Sequence, residues 1–206
     1  MKARWLHRDG GGVLTLVFGG WALGPAPFLT LSGAGDVLFL EDYRDLDHPL
    51  SQRDDYDELR LLAFSFGVVS AAHWLSRTGV QPARRVAVSG TLFPADHRRG
   101  IPPDRVRATA AGLSPVSFAR FCQRAGHIGP APQIDIAAAQ AELLAVIDRG
   151  AAPDPGFDRI WIPRSDRILP TSAQVCAWQG REDAVRLIPG PHVPFRAGQS
   201  WTEWMT

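Results

Sequence analysis

Near-continuous apolar runs that alternate with helical segments constrain the fold of this chain more than any other feature. Val13–Phe18 (VLTLVF) is almost wholly apolar, which is typical of a strand buried on both faces of a parallel sheet. Further strands are predicted at residues 36–42, 59–64, 85–89, 157–162 and 184–188, with a short N-terminal strand that ends at residues 10–12. Helices are predicted at residues 66–76, 137–147 and 172–179. This alternation indicates βαβ units, and so a single α/β domain over residues 1–206 with a mostly parallel sheet flanked by helices.

The interval from residue 91 to about residue 155 interrupts the alternation with sequence rich in Pro, Gly and Arg. It is too long for a plain loop inside a compact domain. We therefore predict a small helical lid over residues 91–155, inserted between the strands at 85–89 and 157–162.

Charge and hydropathy exclude several functions. The formal net charge is only +1, whereas nucleic-acid binding in its simplest form needs a strongly basic surface. No apolar run is long enough to span a membrane, and the opening stretch MKARWLHRDGGG lacks the apolar centre of a signal peptide. Cys122 and Cys176 form no CxxC pair, which is typical of a reducing compartment. We expect a cytoplasmic protein with no nucleic-acid and no membrane partner.

A serine stands at the junction of a predicted strand and a predicted helix. Ala63-x-Ser65-x-Gly67 joins the strand at 59–64 to a helix rich in small residues. This is the pattern of a nucleophile elbow, a strained turn that lifts a serine hydroxyl above the sheet. The small residues on either side of the serine allow the close backbone contacts of that turn. The pattern predicts an α/β-hydrolase fold with Ser65 as the nucleophile, and the alternative is that Ser65 is an ordinary helix N-cap.

A nucleophilic serine needs a base and a carboxylate that orients the base. In this fold they follow in the order Ser, Asp or Glu, His. Asp166 and His192 keep that order, and each comes just after a predicted strand. The alternatives are a loop carboxylate paired with Arg164 or Arg167, and a loop histidine without a partner. Three such residues in order favour a Ser-His-Asp mechanism, and no spacing typical of a metal site is present, so we expect neither metal nor cofactor.

Donors for a developing oxyanion are predicted on two segments. One is the backbone N–H of Phe66, the residue after the serine. The other is offered by Trp21 in the segment Phe18-Gly-Gly-Trp21, where the glycines let the backbone approach. The alternative is a tight turn at the two glycines and a core aromatic at Trp21.

Several of these segments recur together, in the same order, in a known family. The chain resembles the short pimeloyl-acyl-carrier-protein methyl ester esterases of biotin synthesis over essentially its whole length. The matching residues are Phe18-Gly-Gly-Trp21, Asp42-Tyr-x-Asp-Leu46, Ala63-Phe-Ser-Phe-Gly67, Gly90-Thr91, Gly100-Ile-Pro102, Ser165-Asp-x-Ile168, His192, Trp201 and Trp204. Ala22 departs from the pattern, which has glycine after the tryptophan, and the lid is matched only loosely.

The resemblance implies a carboxylesterase that hydrolyses the methyl ester at the end of a pimeloyl chain carried as a thioester on acyl carrier protein. Ser65 would attack the ester, and His192 would pass the serine proton to departing methanol. The thioester would be spared by the way in which the carrier docks. The rival functions are a general carboxylesterase with the same three residues and a hydrolase-like binding module whose serine is unused.

The charge of the predicted lid points to the same partner. Residues 91–131 hold six arginines against two acids, a net charge of +4, which leaves −3 for the rest of the chain. A basic insertion over a slightly acidic domain suits an acidic carrier protein and its phosphopantetheine. The alternative is that these arginines are solvated faces of lid helices. The candidates for carrier contact are Arg98, Arg99, Arg120 and Arg124.

Overall fold

The computed structural model describes residues 1–33 and 35–206 and has a seven-stranded sheet at its centre. The strands are β1 (Lys2–His7), β2 (Val13–Phe18), β3 (Asp36–Glu41), β4 (Glu58–Phe64), β5 (Arg84–Val88), β6 (Arg159–Pro163) and β7 (Val185–Ile188). Their order across the sheet is β1-β3-β2-β4-β5-β6-β7. Strands β2 to β7 are parallel, and β1 runs antiparallel to β3 at the edge. The mostly parallel sheet is confirmed, and every strand predicted from residue 13 onwards appears within two residues of its predicted ends.

The helices are α1 (Phe66–Thr78), α2 (Pro103–Ala111), α3 (Pro115–Ala125), α4 (Ile136–Arg149), α5 (Thr171–Ala177) and α6 (Trp201–Met205), with short 3₁₀ helices at Ala26–Phe28 and Ser51–Asp55. The three predicted helices correspond to α1, α4 and α5. Within the described residues, no helix has both the length and the apolar character needed to cross a membrane.

The prediction for the first strand was wrong at its C-terminal end. The strand stops at His7 rather than at residues 10–12. Beyond it, the backbone N–H groups of Asp9 and Gly10 donate to the buried side-chain carboxylate of Asp36, the first residue of β3, instead of to the backbone of that strand. A side chain distant in sequence therefore ends the strand.

Alternate residues of the central strands face two separate hydrophobic cores. On one face, Leu61 and Ala63 of β4 pack in a cluster with Val68 and Trp74 of α1. On the other face, Phe64 belongs to an aromatic cluster completed by Phe28, Phe39, Phe195, Trp201 and Trp204. Burial on both faces explains why the strands read as near-continuous apolar runs.

The segment predicted as a lid contains α2, α3 and α4, between β5 and β6. Buried residues of α2 and α3, such as Val106 and Phe118, belong to the same cluster as Trp21 and Leu143. Val146 of α4 instead joins the core on the opposite face of the sheet. The first two helices of the segment thus cover the carboxyl end of the sheet, and the third ties the segment to the body of the domain.

Candidate active site

Ser65 lies in a strained turn between β4 and α1. Its φ of 56° and ψ of −126° belong to a region that residues other than glycine rarely adopt. Gly67 permits the turn, since a Cβ there would lie 2.5 Å from the backbone oxygen of Gly19 and closer still to that of Phe18. The Ser65 side chain makes no capping hydrogen bond to any described residue, although the residue holds the N-cap position of α1. The hydroxyl is therefore available for another partner.

That partner is His192. Its Nε2 lies 2.9 Å from Oγ of Ser65, and its Nδ1 lies 2.7 Å from Oδ2 of Asp166. When the proton is on Nδ1, the imidazole donates to Asp166 and leaves Nε2 to accept the serine hydroxyl. His192 is 1% exposed and Asp166 8% exposed, so bulk water does not compete for these hydrogen bonds. The structure thus brings together three residues that are up to 127 positions apart in sequence.

The carboxylate of Asp166 is fully hydrogen-bonded. Its Oδ1 accepts the backbone N–H groups of Ile168 and Leu169 at 2.8 and 2.9 Å. Its Oδ2 accepts both His192 and the side-chain amide of Gln174, the latter at 2.8 Å. Four donors compensate the buried charge and fix the carboxylate plane. Sequence reasoning missed Gln174, because a single glutamine within a helix carries no distinguishing pattern.

The segment predicted to offer the second oxyanion donor is tightly packed. The indole N–H of Trp21 donates to the backbone oxygen of Ala139 at 2.8 Å, and its ring packs edge-on against Phe118 and Phe121. The Tyr43 hydroxyl donates to the backbone oxygen of Gly19 at 2.9 Å. Trp21 is therefore a core aromatic whose indole N–H is already used. The donor that Trp21 can still offer to an oxyanion is its backbone N–H.

A cavity of about 310 Å³ opens onto Ser65. Apolar side chains, including those of Phe121 and Leu143, line part of its wall. The cavity is also lined by three arginines on separate elements, namely Arg105 of α2, Arg124 of α3 and Arg167 after β6. Such a site combines an apolar channel with groups that bind phosphate or carboxylate. Of these three, only Arg124 was among the predicted carrier contacts. Arg105 and Arg167 were missed because the sequence does not show that α2 and the loop after β6 line the same cavity.

The other predicted arginines lie elsewhere. Arg99 pairs with Asp96 at 3.1 Å and stacks on the ring of Phe93 at 3.7 Å. Arg120 lines a separate cavity of about 310 Å³ with Arg124, between α2 and α3. Arg98 is exposed, and within the described ranges its side chain forms no ion pair. In the part of the chain described here, no cluster of three or more His, Cys, Asp or Glu residues is arranged to hold a metal ion.

A larger cavity of about 450 Å³ lies away from these residues. Its lining includes Arg4, Glu41, Asp42 and Glu142. Ser65, Asp166 and His192 do not line it. Among the residues that line it there is no Ser, Thr, Cys or His, so it holds no serine–histidine pair like the one at Ser65.

Comparison with known proteins identifies the family. A family model described as "Pimeloyl-ACP methyl esterase BioG" matches residues 1–130, more than half of the chain. The chain belongs to the BioG family. The resemblance seen in the sequence is thereby confirmed.

Solved structures agree with this assignment. BioG from Haemophilus influenzae shares 26% sequence identity, covers 100% of both chains and superposes with a TM-score of 0.88. An esterase from Exiguobacterium antarcticum covers 95% of this chain and 86% of its own, with 15% identity and a TM-score of 0.65, which shows likeness of fold. The α/β-hydrolase fold is confirmed.

One curated relative extends well beyond this chain. It is a malonyl-[acyl-carrier protein] O-methyltransferase from Bacteroides fragilis strain 638R, 30% identical over an alignment 190 residues long that covers 86% of this chain. The matched region is only 39% of the relative's length. The chain thus spans less than half of the protein that bears that name.

Proposed function

We propose that this BioG-family chain hydrolyses the methyl ester of pimeloyl-acyl-carrier protein in biotin synthesis, with Ser65 as the nucleophile. The observation that carries the proposal is the hydrogen-bonded series from Ser65 Oγ through His192 to Asp166, with Ser65 lining a cavity of about 310 Å³. The Bacteroides relative is named for methyl transfer to malonyl-acyl-carrier protein. That name and the family's name both refer to carrier-bound acyl chains.

This geometry supports the following reaction. Ser65 Oγ attacks the ester carbonyl carbon while its proton moves to His192 Nε2, and Asp166 stabilises the imidazolium that forms. When the C–OCH₃ bond breaks, the leaving oxygen takes the proton from Nε2 and departs as methanol. A water molecule then attacks the acyl-serine with His192 again as the base. This second half returns the serine and releases a free carboxylate.

Two backbone N–H groups are proposed to bind the developing oxyanion, those of Phe66 and Trp21. Phe66 follows the serine directly and begins α1, where unpaired N–H groups and the helix dipole favour negative charge. Trp21 lines the same cavity. Its indole N–H is bonded to Ala139, which holds the segment in place but leaves the backbone N–H as the proposed donor.

Residues 91–155 are proposed to act as the lid on which the carrier protein docks. Arg105 and Arg124 on its first two helices, together with Arg167, line the cavity that leads to Ser65. Arginine matches the geometry of phosphate oxygens, so this set suits the phosphate of the carrier's phosphopantetheine arm. A chain held there presents its distal ester to Ser65, while the thioester stays nearer to the arginines and is spared. Free thiols at Cys122 and Cys176 suit the cytoplasm as the place of this reaction.

Growth without biotin tests the proposal. A bacterial strain that lacks its own pimeloyl-carrier methyl esterase should grow when it expresses this chain and should fail with Ser65→Ala. A fluorophosphonate probe should label the wild-type protein and not the variant. Rescue by Ser65→Ala would refute the nucleophile. Turnover of methyl butyrate without any rescue would favour the general carboxylesterase instead.

A further inference from the structure

A second, much smaller cavity lies beside Ser65. Its volume of about 10 Å³ is room for about one water molecule. It shares Ser65, Phe66 and Ile101 with the 310 Å³ cavity that opens onto Ser65. The rest of its wall is formed by Thr91, Phe93, Pro94 and Leu169.

The small cavity lies on a defined side of the serine. Thr91 and Phe93 follow β5 and Leu169 follows β6, whereas Trp21 follows β2. Because β2 and β5 flank β4 on opposite sides, the small cavity is across Ser65 from the proposed oxyanion donor on Trp21. The backbone N–H of Leu169 donates to Asp166, so this side also adjoins the carboxylate that is hydrogen-bonded to His192.

The wall is held rigidly. Thr91 Oγ1 accepts the backbone N–H of Phe93 at 3.1 Å, and Asp96 accepts the backbone N–H groups of two arginines that follow it at 2.8 Å each. A Cβ at Gly100 would overlap the backbone oxygen of Phe93, so the loop closes tightly on itself. The outer face of the Phe93 ring is covered by the Arg99 guanidinium. A loop bonded in this way resists moving outward to admit a larger group.

We propose that the small cavity binds the alcohol part of the ester and restricts the enzyme to esters of methanol and similarly small alcohols. The inference rests on the proposed function and adds its leaving-group specificity. With the carbonyl oxygen directed to the backbone N–H groups of Phe66 and Trp21, the acyl chain and the alkoxy group are left to divide the two cavities that meet at Ser65. A carrier-bound acyl chain of several carbons does not fit in 10 Å³. The methoxy group takes the small cavity beside Ser65, and His192, which is hydrogen-bonded to Ser65, protonates the methoxy oxygen as it leaves.

A series of alkyl esters tests this assignment. The wild-type protein is assayed with the methyl, ethyl, n-propyl and n-butyl monoesters of pimeloyl-acyl-carrier protein, so that only the alcohol part changes. We expect kcat/KM to fall along the series, with the methyl ester favoured over the butyl ester by at least ~10-fold. One extra methylene group in a substrate pocket typically changes kcat/KM by about 10-fold or more.

Two variants that enlarge the cavity sharpen the test. Leu169→Ala and Phe93→Ala should each raise the ratio of butyl to methyl kcat/KM by roughly 10-fold. The ratio is the readout because absolute rates also respond to changes near Asp166. Leu143→Ala is the matched control. Leu143 lines the 310 Å³ cavity at Ser65 but not the small one, so this variant should leave the ratio unchanged.

The outcomes separate this inference from the proposed function. Equal kcat/KM for methyl and butyl esters in the wild-type protein would overturn the alcohol subsite while leaving the esterase intact. A ratio that stays unchanged in both enlarged variants would overturn it as well. No turnover of any ester by the wild-type protein would overturn the proposed function and the subsite together.

Discussion

Glu142 should make the stability of this protein depend on pH in a predictable sense. The carboxyl lies on α4, is 8% exposed, and accepts the backbone N–H of Tyr43 at 3.1 Å. Burial, the largest cause, raises the pKa of Glu142 from its ordinary value of 4.5 to about 7. Asp42 and Glu41 also raise the pKa, whereas the Tyr43 N–H and Arg44 lower it.

The direction in which stability changes with pH follows from proton binding. A raised pKa means that the folded chain holds this proton more tightly than the unfolded chain does. Below pH 4.5 both states are protonated, and the group does not alter stability. Between pH 4.5 and about 7 the unfolded state loses its proton first, so the folded state loses stability as pH rises. Above pH 7 the full cost applies, about 3 kcal/mol of unfolding free energy for this interval.

The substitution Glu142→Gln keeps a side-chain oxygen that can accept the backbone N–H of Tyr43, but the new side chain does not titrate. We expect the variant to match the wild-type protein near pH 4.5 and to be more stable by up to about 3 kcal/mol above pH 7. Urea unfolding between pH 4.5 and 8.5 gives the free-energy difference between variant and wild type. Other ionisable groups are common to both proteins, so their pH dependence cancels.

The matched control is Glu182→Gln. Glu182 is exposed, and the backbone N–H of Gly180 lowers its pKa. Its contribution is therefore present above pH 4.5 and is lost as pH falls, so the control should be less stable than the wild-type protein at neutral pH, with the gap closing in acid. A difference for Glu142→Gln that stays flat across the range would refute the burial argument.

Further predictions concern the reaction. Asp166→Ala and His192→Ala should each lower kcat severely, and the double variant should be little worse than His192→Ala alone, since such residues act as a unit; additive losses would indicate a different base. Gln174→Leu should lower kcat roughly 10-fold, by loss of one hydrogen bond to a charged group, with KM little changed, and a comparable rise in KM would contradict a role through Asp166. Arg124→Glu should lower kcat/KM for the carrier-bound ester but not for methyl butyrate, more than Arg99→Glu does, and the wild-type value should fall as salt rises. Equal losses on both substrates would make Arg124 a structural residue.

Local patterns were sufficient for much of the fold. Strand positions from Val13–Phe18 onwards follow from apolar periodicity, and the turn at Ser65 follows from small residues at positions 63 and 67, because both depend on neighbours in sequence. Helix α6 was not predicted, although Ser200 and Glu203 form a capping box that signals it. Trp201 and Trp204 entered the sequence argument only through the family resemblance, whereas the structure makes them part of the aromatic core.

The sequence by itself determined the sheet class, the serine turn and the order of the three candidate catalytic residues. Only the tertiary structure decided which distant groups meet: Gln174 with Asp166, the Trp21 indole with Ala139, and Arg105 with Arg167 around one cavity. Periodicity records which face of an element is buried, but it does not record the strand order or how the helices after β5 pack over the sheet. Contacts between elements far apart in the chain depend on that packing, and so do the two cavities that meet at Ser65.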